Sequence, residues 1–244
     1  MKNLRRNDHQ LTYAELREDM RALGNPEVAT HSQRFFKTGR GEYGEGDQFL
    51  GIRVPLLRRL AKNCNLITLD EITQLLQSAF HEERLCALLL LVHRFMRGSA
   101  AQQTAIYRLY LANTACINNW DLVDSSANQI VGRFLECKDK KILFKLARSN
   151  SIWERRIAII STLHFIRSFQ FDVTLELATR LINDDEDLIH KAVGWMLREI
   201  GKRDMAIEEA FLRDQHARMP RTMLRYAIEK FPERTRQQYL SRIS

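Results

Sequence analysis

The sequence predicts an all-α protein, and three observations support that fold class. No proline occurs between Leu56 and Met219, so this long interval lacks the strongest helix breaker. Apolar residues recur in it at helical spacing, and short polar breaks separate the amphipathic segments. Helix-turn-helix units begin near residues 81, 119, 151 and 187, at intervals of about 32 to 38 residues, the spacing of a HEAT-like repeat. Stacked repeats of this kind curve, so we expect a solenoid with a concave face, formed by residues 1–244 as a single domain.

Local signals define the individual helices. Gly24-Asn25-Pro26 ends the first helix, and Pro55, Pro220 and Pro232 lie at or just before the first turns of later ones. The predicted helices lie near residues 12–22, 26–37, 55–63, 68–78, 81–96, 101–113, 119–133, 139–148, 151–168, 172–182, 187–202, 204–216, 220–230 and 233–243. The repeat is weak in sequence, so a compact bundle without repeats is the alternative architecture.

The charge balance favours a polyanionic partner. Lys and Arg number 38 against 30 Asp and Glu, which gives a formal net charge of +8. Nucleic acid is the first candidate for such a surface, and a basic protein with no such partner is the alternative. No stretch approaches the roughly 18 apolar residues that would cross a membrane. The cysteines and histidines match no metal-ligand spacing, so we expect no metal, no cofactor and a reducing, cytoplasmic compartment.

The segment from Asn118 to Asn128 contains the first candidate site. Asn118 and Asn119 are typical helix caps, because their short polar side chains accept hydrogen bonds from a first helical turn. Trp120 and Asp124 are four residues apart and therefore share one helix face. This arrangement can serve chemistry, or Trp120 can be a core residue and Asp124 a first-turn acid that the helix dipole favours.

A basic stripe follows on a later helix. Lys191, Trp195, Arg198 and Lys202 lie on one face, and apolar residues occupy the opposite face. Cations that meet phosphates and an aromatic ring that stacks on a base are typical of nucleic-acid binding. The alternative is a core tryptophan with a solvated basic edge. A basic stripe of this kind would make the concave face of the solenoid a DNA-binding surface.

Two adjacent arginines open the preceding unit. Arg155 and Arg156 follow Trp153 and point about 100° apart on a helix, so at most one of them faces a given phosphate. One can bind phosphate through two nitrogen atoms, and the other would be a surface or salt-bridge arginine.

The chain also contains a glycine-rich segment. Five of its ten glycines lie between residues 39 and 51, with Lys37 and Arg40 beside them. No Gly-Lys-Ser/Thr sequence follows, so the segment is not a Walker loop. It can offer backbone N–H groups and cations to a phosphate, or it can be a flexible connector. We expect residues 37–47 to contact DNA beside the reaction site rather than to take part in chemistry.

Three motifs occur in order along the chain and together resemble a known family. They are Trp120-x-x-x-Asp124, Trp153-Glu154-Arg155-Arg156-Ile157-Ala158 and His190-Lys191-Ala192-Val193-Gly194-Trp195-Met196-Leu197-Arg198-Glu199. With these motifs the chain resembles the AlkD-like DNA alkylation repair glycosylases over nearly its whole length. Phe36 to Gly51 and Pro220 to Ala227 also match one branch of that family.

The resemblance implies a HEAT-like solenoid that excises positively charged alkylpurines, such as 3-methyladenine and 7-methylguanine, from duplex DNA. It places the active-site aromatic pair on Trp120 and Trp195, the catalytic acid on Asp124 and the phosphate-binding arginine on Arg156. A slip of one residue would give that last role to Arg155. Some relatives with this architecture lack glycosylase activity and only bind DNA.

The chemistry agrees with these residues. An alkylated purine already carries a positive charge and leaves without a general acid, whereas the developing sugar cation needs a carboxylate such as Asp124. Trp120 and Trp195 can attract that cation through their ring faces. We therefore predict a monomeric, cytoplasmic, nucleoid-associated enzyme acting on alkylated duplex DNA. The alternatives are a catalytically silent binder of branched or irregular DNA and a helical scaffold for protein partners.

Overall fold

The computed structural model describes residues 10–64 and 66–241, and all regular structure in these residues is helical. A single isolated bridge there pairs Gln48 with Phe80. The α-helices of the described residues are α1 (Tyr13–Leu23), α2 (Pro26–Phe35), α3 (Val54–Lys62), α4 (Leu69–Leu76), α5 (His81–Arg97), α6 (Ala100–Ala112), α7 (Trp120–Asp124), α8 (Lys141–Leu146), α9 (Ile152–Ser161), α10 (Leu163–Arg167), α11 (Asp172–Arg180), α12 (Asp187–Gly201), α13 (Met205–Gln215), α14 (Arg221–Ala227) and α15 (Glu233–Ser241). The all-α prediction is confirmed.

Two predicted helices are interrupted in the structure. The helix expected at 119–133 ends at Asp124, and a π-helical segment, Asn128–Gly132, follows it. The helix expected at 151–168 is divided at Thr162 into α9 and α10. The last predicted helix, near 233–243, extends beyond the described residues.

Short polar residues fix where several helices begin. Thr12, Thr68 and Ser99 each form a capping box with a Glu or Gln three residues later. In each box the side chains of the pair accept hydrogen bonds from one another's backbone N–H groups. Asn25 caps α2 in a similar way before Pro26. These caps stabilise helix starts that the amphipathic spacing and the polar breaks predicted to within a residue or two.

The described residues divide into two compact units, one ending at Ser126 and one starting at Ala127. In the first unit α5 is central and packs against α3, α4, α6 and α7. In the second unit α12 is central and packs against α9 and α14, among other helices. A β-carbon at Gly194 would lie 2.4 Å from the Met223 carbonyl oxygen, so glycine permits the close approach of α12 and α14. The single domain and its concave basic face stay predictions.

No helix among the described residues has both the length and the apolar character needed to cross a membrane.

Candidate functional site

The short helix α7 carries both candidate catalytic residues of the first unit. Trp120 and Asp124 are its first and last residues, and both are partly exposed. Asn119, fully buried, is its N-cap, and its Oδ1 atom accepts from the Trp120 backbone N–H at 2.8 Å. Burial raises the pKa of the Tyr110 hydroxyl, and the Asp124 carboxylate raises it further. Asp124 therefore lies close enough to Tyr110 for its charge to be felt there.

A stack of aromatic rings supports one side of Trp120. Phe36 is stacked on the Trp120 ring with centroids 5.4 Å apart, and Phe49 is stacked on Phe36 at 5.2 Å. His81 completes the stack against Phe49 at 4.6 Å. Phe35 meets Trp120 edge-on at 5.9 Å and is 58% exposed. Trp120 thus has a fixed ring plane and an exposed aromatic neighbour.

A buried charge network lies at the base of this stack. The Nε2 atom of His81 is 2.8 Å from Asp121 Oδ2, and its Nδ1 atom is 3.0 Å from Asp47 Oδ2. Arg84 donates to the other oxygen of Asp47 at 2.6 Å. Burial lowers the pKa of His81, but the hydrogen bonds to Asp121 and Asp47 outweigh it and raise that pKa to about 9. Burial raises the pKa of Asp47, and the His81 and Arg84 contacts bring it below its usual range.

The glycine-rich segment is anchored to the first turn of α5. The Glu82 carboxylate accepts from the backbone N–H groups of Leu50, Gly51 and Ile52 at 2.7 to 3.2 Å. Gly51 has a φ of 80°, and a β-carbon there would lie 2.0 Å from the Asn25 carbonyl oxygen. These contacts make the end of the segment a packed part of the unit.

The other end of the segment holds the two predicted DNA contacts. Lys37 and Arg40 are exposed, and the Lys37 Nζ atom lies 5.9 Å from the ring centroid of Tyr43. Carboxylates of the segment itself, Glu42 and Glu45, accept from the backbone N–H groups of residues 39 and 41 at 2.8 Å. These N–H groups therefore already have anionic partners inside the protein.

The two adjacent arginines of α9 have different environments. Arg155 binds both oxygens of Asp184, at 2.6 and 3.2 Å, and also donates to the carbonyls of Ser149 and Asn150. Arg156 is 5% exposed and donates to the carbonyl of Leu188. The neighbouring Trp153 is buried. Of the two adjacent arginines, Arg155 is therefore the one that forms the salt bridge, with Asp184.

The predicted basic stripe lies on α12 and its C-cap residue, Lys202, with a carboxylate beside each cation. Lys191 pairs with Asp187 at 2.7 Å, Lys202 pairs with Glu199 at 2.5 Å, and Arg198 pairs with Glu229. Trp195 is partly exposed, and its Nε1 atom donates to Glu199 Oε1 at 3.3 Å. The stripe is therefore mixed in charge, with cations that are half-exposed or, at Arg198, mostly covered.

Sequence reasoning missed the polar turn that begins α5. Four consecutive buried residues open this helix, namely His81, Glu82, Glu83 and Arg84. Each has a partner far along the chain, and Glu83 pairs with Arg17 at 3.2 Å. The signal that could have found them is four polar residues directly before the apolar run Leu85–Val92, because buried polar groups need partners.

Comparison with known proteins identifies the family. A family model described as DNA alkylation repair enzyme matches residues 16–231. The chain belongs to this family. The resemblance to AlkD-like proteins is thereby confirmed, while no curated protein matches the sequence.

Two solved structures share the helical-repeat fold. A predicted DNA alkylation repair enzyme from Enterococcus faecalis is 19% identical, with a TM-score of 0.64 over 86% of this chain and 97% of that one. AlkD2 from Streptococcus mutans is 17% identical, with a TM-score of 0.52 over 91% of this chain and 97% of that one. At these identities the likeness establishes the fold of this member of the family.

Proposed function

We propose that this protein is a DNA glycosylase that hydrolyses the N-glycosidic bond of positively charged alkylpurines, such as 3-methyladenine and 7-methylguanine, in duplex DNA. The observation that carries the proposal is α7, where Trp120 and Asp124 are both partly exposed on one short helix. The stack of Phe36 on Trp120 supports it, because a ring with a fixed plane can receive a planar or cationic group. Membership of the DNA alkylation repair enzyme family supports alkylated DNA as the substrate.

In the proposed reaction the alkylated purine departs as a neutral base. Its positive charge makes the glycosidic bond weak, so no general acid is required. The bond electrons leave with the base, and a positive charge develops on the sugar. The Asp124 carboxylate stabilises that charge and orients or deprotonates the attacking water. A single carboxylate then performs what sugar hydrolases usually divide between two.

The aromatic rings have a separate role in this proposal. Trp120 attracts the cationic sugar or base through its face, a contact typically worth about 0.5–2 kcal/mol. Trp195, in the second unit, has the same proposed role and is tested on its own by Trp195→Ala. Arg156, Lys191, Arg198, Lys202, Lys37 and Arg40 are the proposed DNA contacts. We further propose that the protein acts as a monomer on cytoplasmic DNA, without metal or cofactor.

The test is the release of a free base. Purified protein is incubated with duplex DNA methylated at N7 of guanine, and the soluble fraction is analysed for 7-methylguanine. The proposal expects release at a rate well above that of buffer alone. A protein that binds the duplex and releases nothing is a silent DNA binder, which contradicts the proposed chemistry.

The ion pairs along α12 favour a second candidate function, a helical scaffold for protein partners. Each cation of the stripe already has a carboxylate neighbour, which weakens its attraction for phosphate, whereas a protein partner can meet both signs of charge. Anisotropy of a labelled duplex separates the two functions. Absence of binding at low salt would favour the scaffold, and a steep loss of binding as salt rises would favour DNA.

A further inference from the structure

His81 connects three parts of the first unit. It begins α5, it contacts Asp121 in the first turn of α7, and it contacts Asp47 at the end of the glycine-rich segment. Its side chain is only 2% exposed. Asp47 and Asp121 are 34 and 40 residues away along the chain, so these two hydrogen bonds fix distant segments against each other.

The charges of this network balance only if His81 carries two ring protons. Both ring nitrogens face carboxylate oxygens, and a carboxylate can only accept, so the doubly protonated ring is the form that donates to both. Asp47 from the glycine-rich segment, Asp121 from α7 and Arg84 from α5 are the charged groups that face it. The network then contains two cations and two carboxylates, and their pairing offsets the free-energy cost of burying a charged group.

The helix that His81 contacts is too short to hold itself in place. The five residues of α7 form barely more than one turn, and such a turn needs tertiary contacts. Trp120 and Asp121 are adjacent, so the hydrogen bond to Asp121 fixes the turn from which the Trp120 ring projects. The ring itself rests on Phe36, which lies 4.9 Å from the His81 ring.

We propose that His81 is a positioning residue: bridged between Asp47 and Asp121, it holds α7 so that Trp120 and Asp124 keep their catalytic placement. The proposal rests on the proposed glycosylase function. It also gives the glycine-rich segment a new role, because Asp47 makes that segment part of the support of α7. Shortening residues 37–47 should then lower the rate of base release, and not DNA affinity alone.

Two substitutions separate the two hydrogen bonds of His81. His81→Gln keeps a donor near the Nε2 position, toward Asp121, whereas His81→Asn keeps one near Nδ1, toward Asp47. Single-turnover release of 7-methylguanine is measured for both at saturating protein, together with duplex affinity and melting curves. His31→Asn is the matched control, because His31 is an exposed histidine of the same unit.

We expect these substitutions to lower the rate of base release much more than the affinity for duplex DNA. His81→Asn should lower the rate by about 10- to 100-fold, the scale of a displacement of about 1 Å at a reacting group. His81→Gln should lower it less, and duplex affinity should stay within about threefold for both. The wild-type rate should also fall as pH rises through about 9, where His81 loses its second proton, and this limb should be absent in His81→Gln. A wild-type rate in folded His81→Asn would overturn the proposal.

Tryptophan fluorescence tests the positioning role of His81 even if the wild type releases no base. In a Trp153→Phe, Trp195→Phe background, Trp120 is the remaining tryptophan. His81→Asn should shift its emission to the red and increase its quenching by acrylamide, while His31→Asn changes neither. Unchanged Trp120 emission in His81→Asn would refute positioning by His81, whatever the outcome for the glycosylase.

Discussion

Arg155 donates two hydrogen bonds to the carboxylate of Asp184, from Nε at 2.6 Å and from Nη2 at 3.2 Å. Its Nη1 atom also donates to two carbonyl oxygens at the end of the preceding turn. This arrangement ties the first turn of α9 to the loop before α12. The neighbouring Arg156 donates to Leu188 in α12 instead, so the two arginines are expected to respond differently to substitution.

Arg155→Ala should destabilise the protein, and Arg156→Ala should weaken DNA binding. The first change leaves the buried carboxylate of Asp184 without its cation, which we expect to cost about 2–4 kcal/mol of unfolding free energy. The second should lose about 1–3 kcal/mol of duplex affinity if Arg156 makes a charge-assisted phosphate contact. Urea unfolding and anisotropy are measured on both variants, and because Arg156 is itself buried, affinities are compared only under conditions in which each variant is folded. Unaltered affinity in folded Arg156→Ala would remove Arg156 from the DNA contacts.

Glu199→Gln should tighten DNA binding if α12 faces DNA. Glu199 accepts from Lys202 and Arg203, so its loss removes a negative charge and releases two cations. Each extra phosphate contact makes binding stronger at low salt and steepens its decline as salt rises. We expect an affinity gain of about 3- to 10-fold at about 0.05 M salt, measured by anisotropy.

The control for this change is Glu176→Gln, which removes the same charge from an exposed pair with Arg180 on α11. Equal affinity and equal salt slopes for the two variants would place the α12 stripe away from the DNA.

Much of the fold was predictable from sequence because its causes are local. Amphipathic spacing and capping residues such as Thr12 and Ser99 lie within the segment that they organise. The break after α7 was not predicted. The Ser126 hydroxyl donates to the Leu122 carbonyl, a local bond that competes with the helical pattern, and it lies 3.0 Å from the hydroxyl of Tyr110 in another helix. A local hydrogen bond and a contact with another helix thus meet where the amphipathic pattern alone predicts a continuous helix.

The candidate site likewise combines residues that local spacing reveals with contacts that only the folded chain creates. Trp120 and Asp124 were found because their spacing is visible in the sequence, whereas the two distant partners of His81 could not be predicted from its sequence neighbours. The pairing of Arg155 with Asp184 spans 29 residues and depends on how α9 meets the loop before α12. Spacing on one helix thus revealed candidate residues, and tertiary contacts determined which charges are already neutralised.

Glu208→Gln should remove part of the pH dependence of stability. Burial raises the pKa of Glu208 to about 8, although nearby Arg198 lowers it. Below about pH 4.5 both folded and unfolded chains hold this proton, and its contribution to stability is fully present. As pH rises toward 8 the unfolded chain releases the proton while the folded one keeps it, so stability falls.

The glutamine variant has no such proton, so its free energy of unfolding relative to that of the wild type should increase between pH 5 and pH 8, by about 1–3 kcal/mol. Urea unfolding of both proteins at the two pH values gives the comparison. Glu186→Gln, at an exposed position of the same unit, is the control and should follow the wild type. Parallel pH curves for wild type and Glu208→Gln would show that Glu208 is ionised in the folded protein near pH 7.

Asp124→Asn should separate catalysis from binding. If the carboxylate stabilises a cationic sugar, its charge is unfavourable when DNA merely binds, by about 1 kcal/mol for each close phosphate. The asparagine variant keeps the shape and removes the charge, so duplex affinity should stay equal or rise. Base release should fall by roughly 100-fold or more, the scale of losing one preorganised electrostatic group.

A purely structural Asp124 would give a different pattern. Asp124 ends α7 rather than lying in its first turn, so the helix dipole does not favour its charge, and the asparagine variant should keep both its stability to within about 1 kcal/mol and the same rate per folded molecule. Asp70→Asn is the control for loss of one carboxylate, because Asp70 is an exposed helical aspartate of the same unit and lies outside the candidate site. Single-turnover release of 7-methylguanine, duplex affinity and a melting curve are compared for both variants. A rate close to wild type in Asp124→Asn would end the catalytic assignment of Asp124. The other candidate groups on α7 are the partly exposed ring of Trp120 and the carboxylate of Asp121, and His81 already binds that carboxylate.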